Sequence, residues 1–116
     1  MFVKNLREVQ PVTHKEPNPG VELREMITAK DGAPNFALRV VDVEPGLSTP
    51  FHAHDWEHEV YVVKGTGKVR AADGSERPFG AGDSIYVAPN EKHCFVADAV
   101  SPLQFVCVIP NLPGRY

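Results

Sequence analysis

The chain has 116 residues, 42% of them hydrophobic and 23% charged, and a net charge of −3 at neutral pH. That length fits one compact domain with a real core, and the charge offers no basic footprint for nucleic acid or an anionic membrane. Two cysteines, Cys94 and Cys107, are too few for a disulfide scaffold, and neither a secretion signal nor a membrane span is visible, so we expect a cytoplasmic protein with reduced thiols.

Residues 1–20, with Pro11, Pro17 and Pro19, read as an extended arm. Short runs rich in β-branched and aromatic residues follow, each bounded by a turn signal. FALRVVDV (36–43) ends at Pro45-Gly46, and HEVYVVK (58–64) ends at Gly65-Thr66-Gly67. GKVRAA (67–72) stops at Asp73-Gly74, a strong hairpin signal. SIYVA (84–88) lies between Gly82-Asp83 and Pro89-Asn90; HCFVA (93–97) and LQFVCVI (103–109) complete the series. No run has the periodicity of an amphipathic helix. Evenly spaced short strands with Gly/Pro turns predict an antiparallel sandwich or barrel.

The segment HAHDWEH, residues 52–58, concentrates three of the five histidines. On a strand His52 and His54 point the same way. Asp55-Trp56-Glu57 fits a three-residue connection, which would set His54 opposite His58 with Cβ atoms about 5 Å apart. Three converging imidazoles suit a transition-metal ion. A solvated histidine-rich loop is the bland alternative, and burial by packing alone would leave polar rings without partners at a cost. His14, between Thr13 and Lys15, reads as a surface residue. His93 opens an apolar strand after a tight turn and is the natural fourth ligand.

Two motifs resemble those of the cupin family. The first, GLSTPFHAHDWEHEVYVVKG (46–65), has the glycine, five residues, His-x-His, a further ligand and a closing glycine; the second occupies residues 82–97 and begins GDSIYVAPNEKH. The resemblance implies an all-β fold, a single-domain antiparallel jelly-roll β-barrel over residues 1–116, with a metal at its mouth. Position by position it implies His52, His54 and His93 as ligands. The family's usual glutamate, seven positions before the closing glycine, is here His58. Glu59, one place later, should face away by strand alternation, so His58 is expected as the remaining ligand. Two further departures stand out: Ala97 where asparagine is frequent, and Asn90 in place of a glycine at a turn that can require positive φ. With His58 included, the site resembles a four-histidine subgroup of small prokaryotic cupins in which manganese is known.

Four neutral imidazoles would leave the charge of the ion uncompensated and, in six-coordination, two positions open. The expected cofactor is one divalent transition metal ion, with manganese or iron favoured and zinc, nickel or copper also suited to imidazole. The leading expectation is a metal-dependent dioxygenase or oxidoreductase acting on a small organic molecule. A non-catalytic ligand-binding module and a metal-dependent isomerase or lyase are the alternatives. Alternation places Phe105, Cys107 and Ile109 on one strand face, either lining the pocket near the metal or filling an ordinary core; Cys94 should face away from the metal. Trp56 either rims the site or packs at a subunit interface, and Arg39 either anchors a carboxylate or lies on the surface. Small cupins are commonly dimers, so a homodimer is expected.

Overall fold

Alternation of apolar and polar residues, clearest along Leu103–Pro110, gives the strands apolar faces, and those faces set how the sheets close on each other. The computed structural model describes residues 1–13 and 18–111; His14 lies outside the described residues. Its strands are β1 (Val21–Ile27), β2 (Phe36–Val43), β3 (His58–Lys64), β4 (Thr66–Ala71), β5 (Glu76–Gly80), β6 (Ser84–Val87), β7 (His93–Ala97) and β8 (Leu103–Pro110). They form two antiparallel sheets, one in the order β1-β2-β8-β3-β6 and one in the order β5-β4-β7. The fold is the all-β jelly-roll sandwich that the motifs imply. Among the described residues the only helical pieces are two single 3-10 turns, Leu6–Glu8 and Ala29–Asp31.

The core lies between the two sheets. Strand β8 buries Leu103, Phe105, Cys107 and Ile109 while the residues between them stay partly accessible. Strand β2 directs Ala37, Val41 and Val43 the same way, and β3 adds Val60 and Val62. From the smaller sheet Phe79, Phe95 and Ala97 meet them. The ring of Phe95 lies 4.9 Å from that of Phe105 and 6.4 Å from that of Phe79, which ties the two sheets together. Each such ring buried from water contributes about 1.5–3 kcal/mol.

Two strands lie outside the runs recognised in the sequence, and both are sheet edges. β1, VELREMI, carries Glu22, Arg24 and Glu25 and is interrupted by a bulge between Glu25 and Ile27. β5, ERPFG, contains Pro78, whose missing N–H is tolerated at an edge. Charges, bulges and proline are devices that keep edge strands from pairing with other chains, and they erase the alternating signature. The described part of the arm lies along β1 of its own chain. The Val12 N–H donates to the Leu23 carbonyl at 2.8 Å, Arg24 Nε to the Val9 carbonyl at 3.0 Å, and Lys4 Nζ to the Met26 carbonyl at 2.9 Å.

Asn90 has a φ of 66°, and it is the one non-glycine with positive φ among the described residues. Asparagine tolerates this region better than most residues. Its N–H donates to the His54 carbonyl at 2.5 Å, so the turn that requires this conformation also tethers the histidine segment. Gly65, which closes the first motif, has φ +89°, and a Cβ there would stand 2.2 Å from the Pro102 carbonyl oxygen and 3.0 Å from Leu103 Cα. Gly74 has a similar φ of +85° with nothing within 4 Å. Gly74→Ala should therefore cost only the left-handed backbone term, about 1–2 kcal/mol. Gly65→Ala adds an overpacking cost of about 1–3 kcal/mol. Thermal unfolding of the two variants should place Gly65→Ala well below Gly74→Ala; equal midpoints would contradict the close approach.

Candidate metal centre

The hairpin expected between His54 and His58 does not form. Both sides of β3 are already taken, by β6 and by β8, so no edge remains for the preceding segment. Strand β7 does have a free edge. The His52 N–H donates to the His93 carbonyl at 3.1 Å, and the His93 N–H donates back to the His52 carbonyl at 3.0 Å. Three positions earlier in the segment, the Thr49 N–H donates to the Phe95 carbonyl at 3.0 Å, and the Phe95 N–H donates to Thr49 Oγ1 at 2.9 Å. The two motifs are thus joined backbone to backbone at their histidines.

This pairing brings together one ring nitrogen each from His52, His54 and His93, all within 4.8 Å of one another. Two imidazole nitrogens on a single ion lie at most about 4.2 Å apart, so small ring movements suffice. Such a cluster could hold a divalent transition metal ion. His58 stands beside it, its ring centroid 4.9 Å from that of His54 and 5.2 Å from that of His93. The ring of His54 lies between Trp56 and His58, nearly parallel to both, at 12° to each. His52 is exposed and His54 half-buried, whereas His58 and His93 are 5% and 4% exposed; the first pair forms the mouth and the second the floor.

Contacts at Nδ1 decide which nitrogen each floor histidine offers. His93 Nδ1 lies 2.7 Å from the Glu91 carbonyl oxygen, which can only accept, so Nδ1 carries the proton and Nε2 keeps its lone pair. His58 Nδ1 lies 3.3 Å from Cys107 Sγ, and its buried Nε2 has no hydrogen-bond partner. A buried nitrogen left in this way is costly unless something occupies the space in front of it. The donor chemistry and this orphaned nitrogen both fit a metal ion.

Two of these rings, His58 and His52, are held towards the neutral form that ligation requires. Burial, then the Arg39 guanidinium and the other imidazoles, push the His58 pKa from 6.5 down to about 3. Burial, followed by His93 and Arg39, lowers that of His52. Burial raises the Cys107 thiol against the opposing effect of Arg39.

Above the floor is a cavity of about 240 Å³, walled by Val21, Leu23, Val41, Phe95 and Phe105. Trp56, Arg39 and Cys107 also reach it. Ile109 shares the buried face of β8 but belongs to the core and does not reach the cavity wall. Glu59 is exposed, one place beyond the inward His58. Val21 and Leu23 are absent from the sequence-based site because they lie on β1, the edge strand whose charges hide it. A wider cleft of about 620 Å³ lies elsewhere, between β5 and β6. Its charged residues, among them Arg70, Glu76, Arg77 and Asp83, are of both signs and mostly exposed, and of the four clustered histidines only His93 reaches it.

The His58 shift has a consequence for the metal-free protein. The unfolded chain takes up a proton on this residue near pH 6.5, whereas the folded chain resists until about pH 3. Stability conferred by the neutral ring is therefore present above pH 6.5 and lost as pH falls towards 3. The thermal midpoint of metal-free protein should fall from pH 7 to pH 4, and less steeply in His58→Gln. Parallel slopes in the two proteins would contradict the assignment.

Known proteins place this geometry in context. The cupin domain family matches residues 39–109. The chain is similar to the polyketide cyclase RemF from Streptomyces resistomycificus, with 33% identity, a TM-score of 0.86, and coverage of 95% of this chain and 79% of that one. It is similar to ectoine synthase from P. lautus, with 25% identity, a TM-score of 0.78, and coverage of 97% and 80%. It is also 35% identical over 78 residues to mannose-1-phosphate guanylyltransferase of Escherichia coli (strain K12), a stretch that covers 66% of this chain but 16% of that protein's length. The family match runs from β2 to β8 and includes every clustered histidine. The chain belongs to the cupin domain family.

Proposed function

We propose that this cupin is a metal-dependent enzyme that activates a carbonyl group of a small organic substrate without net redox change, in the manner of a cyclase, isomerase or lyase. In this reading His52, His54 and His93 hold the ion and His58 completes the set. The observation that carries it is the donor set itself: clustered neutral imidazoles beneath an apolar cavity, with no Asp or Glu among its described lining residues. A divalent ion held there would act as a Lewis acid of undiminished charge. RemF and ectoine synthase, both similar over nearly the whole chain, carry names that fit a ring-closing or bond-rearranging chemistry.

The residues around the ion have separate tasks. Val21, Leu23, Val41, Phe95 and Phe105 displace water from the reacting group, which strengthens electrostatic interactions in the cavity. Trp56, stacked on His54 at 4.4 Å, fixes that ring and narrows the mouth. The Glu91 carbonyl and Cys107 Sγ orient His93 and His58 through Nδ1. A cavity of about 240 Å³ falls below the roughly 300–1,000 Å³ typical of drug-sized ligands, so the substrate is small.

The redox reading, with manganese or iron as the ion and an oxygenase or oxidoreductase activity, is the competing account of the same site. Metal-free protein reconstituted under nitrogen with zinc, manganese or iron(II) separates the two when assayed over β-diketones, 2-oxo acids and catechols with oxygen monitored. Turnover with zinc, and no oxygen consumed, is expected. Turnover confined to manganese or iron and coupled to oxygen uptake would establish the redox reading instead, and saturable binding without turnover would make the protein a ligand-binding module. In the same preparations His58→Ala should weaken metal binding at least about tenfold. Glu59→Ala should leave it unchanged, and the reverse result would overturn the ligand set.

A further inference from the structure

Strand β2 contributes one side chain to the barrel interior that does not belong in an apolar core. Its inward positions are Ala37, Arg39, Val41 and Val43, and three of the four are buried and apolar. Arg39 stands directly across the strand pair from Cys107 and lines the same cavity as the histidines. A guanidinium taken from water is costly unless an anion meets it.

No such anion is supplied from within the described residues. Arg39 Nη2 donates to Cys107 Sγ at 3.2 Å, and Nε is buried with no hydrogen-bond partner. Two other strand arginines are paired, Arg24 with Glu22 at 2.9 Å and with Asp42 at 3.4 Å, and Arg70 with Glu76 at 2.8 Å, while Arg77 on β5, which has no ion pair either, is exposed to water. Arg39 forms no ion pair, and it is the only formally charged side chain among the described residues of the cavity wall. With the imidazoles neutral and Asn18, Thr49, Trp56 and Cys107 uncharged, the cavity carries net positive charge even before an ion is added.

We infer that Arg39 is the anchor for a carboxylate of the substrate, so that the substrate class is small oxo acids, with the carboxylate on Arg39 and the adjacent carbonyl directed to the histidine cluster. This rests on the carbonyl-activating reading and narrows it. Arginine suits the task because its planar fork can present two donors to one carboxylate, and one of those donors, Nε, is already desolvated and waiting. Arg39 is linked to the cluster through Cys107, whose Sγ lies 3.2 Å from Arg39 Nη2 and 3.3 Å from His58 Nδ1.

The test uses two probes of nearly the same shape, pyruvate and 2,3-butanedione, in which a carboxylate oxygen is exchanged for a methyl group. Binding to the zinc-loaded protein is measured by calorimetry for wild type, Arg39→Met and Arg39→Lys, with zinc content and thermal midpoint recorded for each. Wild type should bind pyruvate at least about tenfold more tightly than butanedione. Arg39→Met should lose that preference while keeping its zinc and its affinity for butanedione, and Arg39→Lys should restore part of it. A pyruvate affinity unchanged in Arg39→Met, a parallel loss of both probes, or no saturable pyruvate binding by wild type would overturn the anchor. Repeating the titration on metal-free protein separates the two claims. Failure of wild type to take up zinc sinks the metal reading, whereas an Arg39-dependent preference for pyruvate that persists without metal leaves the anchor standing.

Discussion

The reciprocal backbone hydrogen bonds between His52 and His93 are the constraint on which the site depends. Side chains from two distant motifs can converge only if their backbones are fixed relative to one another, and these bonds, at 3.1 and 3.0 Å, do that at the ligand residues themselves. Flanking contacts from Thr49 to Phe95 and from Asn90 to the His54 carbonyl extend the seam in both directions. The interior faces of β3 and β8 then supply His58 and Cys107 from the opposite wall. A cluster assembled across both sheets is rigid because separating its members would require opening the core.

Charge explains the rest of the cavity. Burial and a nearby guanidinium make protonated imidazole unfavourable, which leaves lone pairs available for an ion. Neither the cluster nor the described wall residues supply a carboxylate to offset an ion or Arg39. Once it holds an ion, a site so arranged would favour anionic, oxygen-bearing guests. The apolar wall from β1, β2, β7 and β8 then limits their size and excludes water. In the proposed reading, binding preference and carbonyl activation would share an origin in uncompensated positive charge.

Much of this is legible in the sequence wherever local pattern and final environment agree. Residues 103–109 read as a strand because every second side chain is apolar, and that parity places Phe105 and Cys107 inward. The spacing of His52, His54 and His93 within two glycine-bounded motifs is equally plain. Agreement fails at the edges, where β1 is disguised by Glu22, Arg24 and Glu25 and β5 by Pro78. The same failure removes Val21 and Leu23 from the anticipated cavity wall. The expected hairpin at residues 55–57 is wrong for a different reason: turn length is a local property, but which edge is free to pair is settled by the whole sheet. Arg39 stays ambiguous from sequence because a lone charge in an apolar run marks either a solvent-facing position or a deliberate interruption of the core. Only the register with β8 resolves it.

The central claim is that one ion is held by imidazole nitrogens of His52, His54, His93 and His58. A crystal structure of metal-loaded protein, with anomalous scattering measured at the absorption edge of the metal, tests it most directly. The account predicts a single anomalous peak with four Nε2 atoms at about 2.0–2.2 Å and at least one position left to solvent. A peak ligated by Cys107 sulfur at about 2.3 Å, or one that leaves His58 Nε2 unoccupied, would contradict it.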